Sequence, residues 1–336
     1  MVRIVGLVVG VLALLGTIFA PAPEGLSREG FITAGLVVLM AAWWITEALP
    51  MTATALMPFL VLPFAGVMDA SATASAYYSP ILFLLLGGAF IALAIERVGL
   101  HRRLSLGILR LAGRGAGPAR LLLAFMVSAA LLSMLISNTS TALIMMPVAL
   151  AVIAGAGLPD GDTEGLAGAL PMGIAFAASI GGLGTLVGSP TNAIAVGLLD
   201  ETIGVRISFA EWTLYGVPVV LVGVPVAAAI IARVQRVHAR PFDAAGARAA
   251  IPVERSWGPA ERRLIPIVAL TFTLWMCQPL IEPLLPDGSL TDGTIAIGAS
   301  LLLFLLPDGT GRPLLTWQEA NRAPWGVIMM FGGDLA

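Results

Sequence analysis

Apolar runs recur along the whole chain and leave it one way of folding. They fall at about 4–20, 31–49, 52–67, 80–97, 121–136, 140–157, 167–199, 212–233, 264–281, 293–306 and 324–336. Many approach the roughly 20 residues that carry a helix through a ~30 Å hydrocarbon core, where backbone polar groups must be satisfied within the segment. Hydrophobic residues make up 58% of the chain and charged ones 11%, which indicates an all-α polytopic membrane protein with no nucleic-acid partner. The first run, Ile4 to Ala20, lacks an A-x-A cleavage site and reads as a first helix rather than a signal peptide. Cys277 is the single cysteine, which excludes an intrachain disulfide and a thiolate metal site.

Charge is distributed by side. Segment 97–120 holds Arg97, Arg102, Arg103, Arg110, Arg114 and Arg120, and segment 233–263 holds Arg233, Arg236, Arg240, Arg248, Arg255, Arg262 and Arg263. Together they carry 13 of the 18 basic residues. The positive-inside rule puts both in the cytoplasm of a bacterial-type inner (plasma) membrane, with the N-terminus also inside. Loops 21–30, 68–79 and 282–292 contain only Arg28 and suit the outer face. Trp43 and Trp44 read as interfacial residues, Glu47 as a structural or interfacial acid, and His101 and His238 as solvated. Asp160, Asp162 and Glu164 read as a polar turn.

Between the basic segments the chain must cross an even number of times. Counting 121–157, 167–199 and 212–233 as one span each gives three. Residues 121–157 therefore go in and come back. Each arm, about 16 residues or roughly 24 Å, is short of the hydrocarbon core. The expected structure is a re-entrant hairpin with Ser137-Asn138-Thr139 at its tip, followed by Ser140 and Thr141. Polar groups at that depth need partners, so the tip reads as a site, although one or two hydroxyls can also join helices.

Residues 167–199 are too long for one span, at roughly 50 Å if straight. Their middle, Gly181-Gly182-Leu183-Gly184-Thr185-Leu186-Val187-Gly188-Ser189-Pro190-Thr191-Asn192, predicts a broken helix. Its unwound part would offer carbonyls to a cation, and the next half-helix would aim its N-terminus into the site. Close helix packing is the plainer alternative.

Pro80 to Ala89 has an echo in Pro324 to Asp334, each with a Gly-Gly pair, 24 and 25 residues after Pro63 and Pro307. The spans at 31–49, 52–67 and 80–97 thus pair with 264–281, 293–306 and 324 onward, the second set inverted. The organisation expected is a first helix and loop at 1–30, a first repeat at 31–240, a cytoplasmic linker at 241–263 and the start of a second repeat at 264–336. By the same spacing a second Ser-Asn-Thr belongs near position 382, past Ala336, so the sequence reads as lacking the second hairpin and second broken helix.

Trp43-Trp44-Ile45-Thr46-Glu47-Ala48-Leu49-Pro50, Leu86-Gly87-Gly88, Ser137-Asn138-Thr139, Gly188-Ser189-Pro190-Thr191-Asn192 and Phe331-Gly332-Gly333 together resemble the divalent anion:sodium symporter family. The resemblance implies a homodimeric carrier of di- or tricarboxylates or sulfate, working by alternating access with sodium as coupled ion. It implies that Ser137 and Asn138 hold sodium and substrate carboxylate, with Thr139, Thr191 and Asn192 on the substrate side. Ser133 and the groups around Gly188, Ser189 and Pro190 would complete the sodium shell. Where the family usually has proline or a small residue before the asparagine, this chain has Thr191.

No arginine, lysine or histidine falls inside the expected spans away from their ends. A bound dianion would therefore be neutralised by sodium, helix N-termini and hydroxyl or amide donors. An intramembrane protease would need paired aspartates, a serine with a histidine, or H-E-x-x-H within spans, and the sequence has none, so the chain does not read as an enzyme. Carriage of another anion, ion antiport and an inactive fragment are the remaining alternatives.

Overall fold

The computed structural model describes residues 1–112, 117–158, 163–238, 243–251, 257–286 and 288–335. Arg114, Asp160, Asp162, Arg240 and Arg255 lie outside them, as do the side chains of Arg248 and Asp334. The helices in order are α1 (Val2–Phe19), α2 (Arg28–Ile45), α3 (Met51–Thr54), α4 (Met57–Phe64), α5 (Ala70–Ala76) and α6 (Pro80–Val98). Then come α7 (Leu100–Ala112), α8 (Pro118–Ser133), α9 (Asn138–Gly155), α10 (Gly165–Gly182), α11 (Pro190–Ile203) and α12 (Phe209–Val234). The chain continues through α13 (Ala244–Ala249), α14 (Pro259–Ile281), α15 (Asp292–Leu305), α16 (Trp317–Ala320) and α17 (Trp325–Leu335).

Seven helical segments among the described residues are long and apolar enough to cross a membrane: Val2–Phe19, Arg28–Ile45, Ala70–Val98, Asn138–Gly155, Gly165–Gly182, Phe209–Val234 and Pro259–Leu284. The chain is an all-α polytopic integral membrane protein. Met51–Phe64, Pro118–Ser133 and Asp292–Leu305 are shorter apolar helices. Many starts are set by side-chain caps: Ser27, Asp69, Ser137, Ser208, Thr291 and Thr316 each accept a backbone N–H of the following first turn.

The chain forms two compact units, Met1–Phe83 with Pro324–Ala336, and Leu84–Ala323. In the first, α1 packs along α2 over Leu14, Leu36, Leu39 and Met40. Trp43 belongs to this core: it is 6% exposed, and its indole N–H reaches the Leu7 carbonyl at 3.5 Å. Glu47 takes a left-handed φ of 49° just after α2 and pairs with Arg3 at 3.5 Å on the surface. The run 52–67 is not continuous; the backbone turns at Ala55, between α3 and α4. The Tyr77 hydroxyl donates to the Ala55 carbonyl at 2.6 Å, and a Cβ on Gly333 of α17 would lie 3.0 Å from the Ala55 carbonyl carbon.

In the second unit, α8, α10 and α12 pack together, with α9 against α8 and α10. Much of the arginine-rich segment 97–120 is the helix α7, whose Leu106 and Leu109 are fully buried while Arg102 is exposed. Periodic apolar residues among the arginines explain it. Arg103 of α7 forks onto Glu261 of α14 at 2.7 and 3.2 Å, with Trp257 under the guanidinium at 4.3 Å, so the two arginine-rich segments meet. His101 is half-buried, its Nδ1 lying 3.1 Å from the Ile95 carbonyl. Arg97 at the end of α6 holds the 307–319 connection, pairing with Asp308 at 3.0 Å and Glu319 at 2.9 Å and donating to the Leu314 carbonyl at 2.6 Å. A Cβ on Gly87 of α6 would lie 2.6 Å from the Ala296 Cβ of α15.

Candidate functional site: a helix–turn–helix tip against a broken helix

α8 and α9 run 16 and 18 residues on either side of a turn at Met134–Ser137. These are roughly 24 and 27 Å, so α8 is short for a full crossing, whereas α9, expected to be equally short, is long and apolar enough to cross. A second irregular segment follows. α10 ends at Gly182, a short 3-10 turn spans Leu186–Gly188, and α11 begins at Pro190. Proline at the first helical position and the extended Ser189 (φ −146°, ψ 137°) make that restart.

The two irregular segments touch through backbone. The Ser133 hydroxyl donates to Asn138 Oδ1 at 2.5 Å across the turn. A Cβ on Gly182 would lie 2.7 Å from that same Oδ1 and 3.4 Å from the Gly188 carbonyl oxygen. A Cβ on Gly188 would lie 2.6 Å from the Gly182 carbonyl oxygen and 2.9 Å from that of Ser133. Only glycine permits such an approach at these two positions. The result is a knot of hard oxygens (Ser133 Oγ and O, Asn138 Oδ1, Gly182 O and Gly188 O) at the N-terminus of α9, beside the restart at α11. Oxygens of this kind suit an alkali cation, and the two helix N-termini suit an anion.

Ser133 and Asn138 are thus brought together with Gly188. Ser137 caps α9 by accepting the Ser140 N–H at 3.1 Å, and its side chain, like that of Thr139, is exposed. Ser189 bonds to Thr191 between hydroxyls at 2.8 Å, and Thr191 is exposed. Asn192 is 3% exposed and turned inward, its amide donating to the carbonyls of Gly182 at 2.7 Å and Thr185 at 2.8 Å. It braces the break.

Comparison with known proteins bears on what such a site serves. The model of the citrate transporter family (CitMHS) matches residues 41–335, which include every residue of the knot. The chain belongs to the citrate transporter family. Similar family relatives include the sodium-dependent dicarboxylate transporter SdcS of Staphylococcus saprophyticus subsp. saprophyticus, 35% identical over 347 residues. SdcS of Staphylococcus aureus strains RF122 and USA300 is also 35% identical. In each case 99% of this chain is matched, and it spans 66% of the relative's length. The likeness to divalent anion:sodium symporters seen in the motifs is upheld by this family.

Proposed function

We propose that the chain belongs to a secondary transporter that carries a di- or tricarboxylate across a bacterial inner membrane with sodium as coupled ion. The observation that carries this reading is the oxygen knot between the α8–α9 turn and the α10–α11 break, flanked by two helix N-termini. Sodium takes the oxygens of Ser133, Ser137, Asn138 and the Gly188–Pro190 backbone. The exposed Ser137, Thr139 and Thr191, together with free N–H groups of the first turns, take one carboxylate. The names of the Staphylococcus relatives, which specify sodium and dicarboxylate, support the same pairing.

The α8–α9 hairpin enters from the cytoplasmic side and turns back, the arginine-rich segments and the N-terminus facing the cytoplasm. The chain is organised as a first repeat at 31–240, a linker at 241–263 and an inverted second repeat from 264, and it works as a homodimer. Reciprocal packing supports the repeat: Gly87 of the first set lies on Ala296 of the second, and Gly333 of the second lies on Ala55 of the first. The test is uptake of labelled succinate, citrate and sulfate into proteoliposomes with sodium or choline outside. Uptake of a carboxylate only with sodium is expected. Equal uptake in choline driven by internal dicarboxylate would mean an exchanger, and sulfate alone would mean an oxyanion carrier.

A further inference from the structure

Thr185 sits in the middle of the helix break, is 2% exposed and is occupied on both sides. Its hydroxyl donates to the Met134 carbonyl at 2.7 Å, at the end of α8, and accepts the Gly188 N–H at 3.0 Å. Its carbonyl accepts the Asn192 amide at 2.8 Å. One side chain therefore fastens the hairpin turn to the unwound segment and fixes the direction of the Gly188 peptide. Two neighbours narrow the geometry further. The Asn192 amide also holds the Gly182 carbonyl at 2.7 Å, and a Cβ on Gly184 would lie 2.8 Å from the Met134 methyl carbon, so the break lies tight on the turn.

We infer that Thr185 is a positioning residue: through its two hydroxyl bonds it sets the spacing between Asn138 and the Gly188 carbonyl, and so the affinity of the oxygen knot for sodium, without touching the ion. The inference rests on the proposed sodium-coupled reading for its functional consequence. Removing the hydroxyl takes the Met134 carbonyl's donor and leaves the Gly188 N–H only its longer 3.3 Å bond to the Thr185 carbonyl, and the loss falls on the liganding backbone itself. Thr185→Val keeps the shape and deletes both bonds. Thr185→Ser keeps both bonds and deletes a methyl group.

The experiment measures half-saturating sodium for uptake in proteoliposomes, the melting temperature in sodium-free buffer, and amide hydrogen exchange across 183–189, for the unmodified protein and both variants. Thr185→Val is expected to raise half-saturating sodium by about tenfold, as loss of a hydrogen bond of ordinary strength at a site implies. Thr185→Ser should stay within about twofold, and the sodium-free melting temperature should fall in Thr185→Val, which loses both bonds, and hold in Thr185→Ser. Gly188 should exchange faster in the valine variant alone. Unchanged sodium dependence in Thr185→Val overturns the inference. Equal damage in both variants also overturns it, since packing and not the hydroxyl would then matter. Should the unmodified protein itself ignore sodium, the transport reading falls, and exchange at 183–189 decides the latch separately: faster exchange in the valine variant retains it, and unchanged exchange refutes it.

Discussion

Gly182→Ala tests whether the oxygen knot is the ion site. The new methyl carbon would sit 2.7 Å from Asn138 Oδ1 and 3.4 Å from the Gly188 carbonyl oxygen. Carbon and oxygen need a few tenths of an ångström more than 2.7 Å, so the Asn138 amide must swing away. That motion breaks its 2.5 Å bond from Ser133 Oγ. Asn138 is the first residue of α9 and cannot retreat without disturbing the turn. Overpacking of this size costs about 1–3 kcal/mol. Loaded onto the cation-bound state, it weakens sodium binding by about 5- to 150-fold. The assay is sodium-dependent thermal stabilisation of the purified protein, with uptake as a second readout. Sodium affinity equal to that of the unmodified protein would refute the assignment of Asn138 Oδ1 to the ion.

The remaining predictions concern packing and charge. Gly181→Ala places a methyl 2.5 Å from the Ala130 Cα, a backbone atom that cannot move aside, and should destabilise by about 1–3 kcal/mol in a denaturation assay. Gly298→Ala, in α15 with nothing within 4 Å, should instead stabilise by up to about 1 kcal/mol; the opposite order would undermine the close-contact argument. Arg103→Met leaves Glu261, 8% exposed, without its guanidinium and should cost about 3 kcal/mol; a change below the error of measurement would show the pair to be solvated. The Thr310 hydroxyl and N–H, with Arg97 beyond, hold the Asp308 carboxyl below its ordinary value of 3.8. For Glu319 burial works upward, but the Thr316 N–H and hydroxyl and the two arginines Arg97 and Arg312 outweigh it and leave it below 4.5. Carboxyls depressed in this way stabilise the fold above their ordinary values, and that contribution is lost as pH falls through the depressed ones. The melting temperature should therefore drop on acidification below about pH 4, less steeply in Asp308→Asn; identical slopes would contradict the linkage.

Much of this architecture was legible because lipid imposes strict rules on sequence. Apart from 52–67, which turns at Ala55, the apolar runs matched helices within a few residues, and Gly181–Pro190 marked the break, since glycine, proline and hydroxyls together cannot continue a helix. Other features were hidden. The helix α7 lies under a charge run because Leu106 and Leu109 set its buried face, a pattern easily lost among arginines. Trp43 resembles an interfacial residue by type, yet the absence of a side chain on Gly10 opens a slot for it; a Cβ there would meet its Nε1 at 2.6 Å. At the site, the nearness of Ser133 to Asn138 could be expected from the family resemblance. The inward turn of Asn192 and the role of Thr185 could not, because both depend on which carbonyls the unwound backbone presents. The one available signal was that Thr185 is the only hydroxyl between Gly181 and Gly188.

We propose a cytoplasm-facing hairpin tip that closes over sodium and a dicarboxylate together. Its most direct test places a cysteine at Thr139 in a Cys277→Ser background and follows labelling by a membrane-impermeant thiol reagent in inside-out vesicles. Labelling should be slowed by succinate in sodium and left unchanged by succinate in choline. Labelling from the outer face alone in every condition, or at one rate regardless of sodium and dicarboxylate, would contradict it.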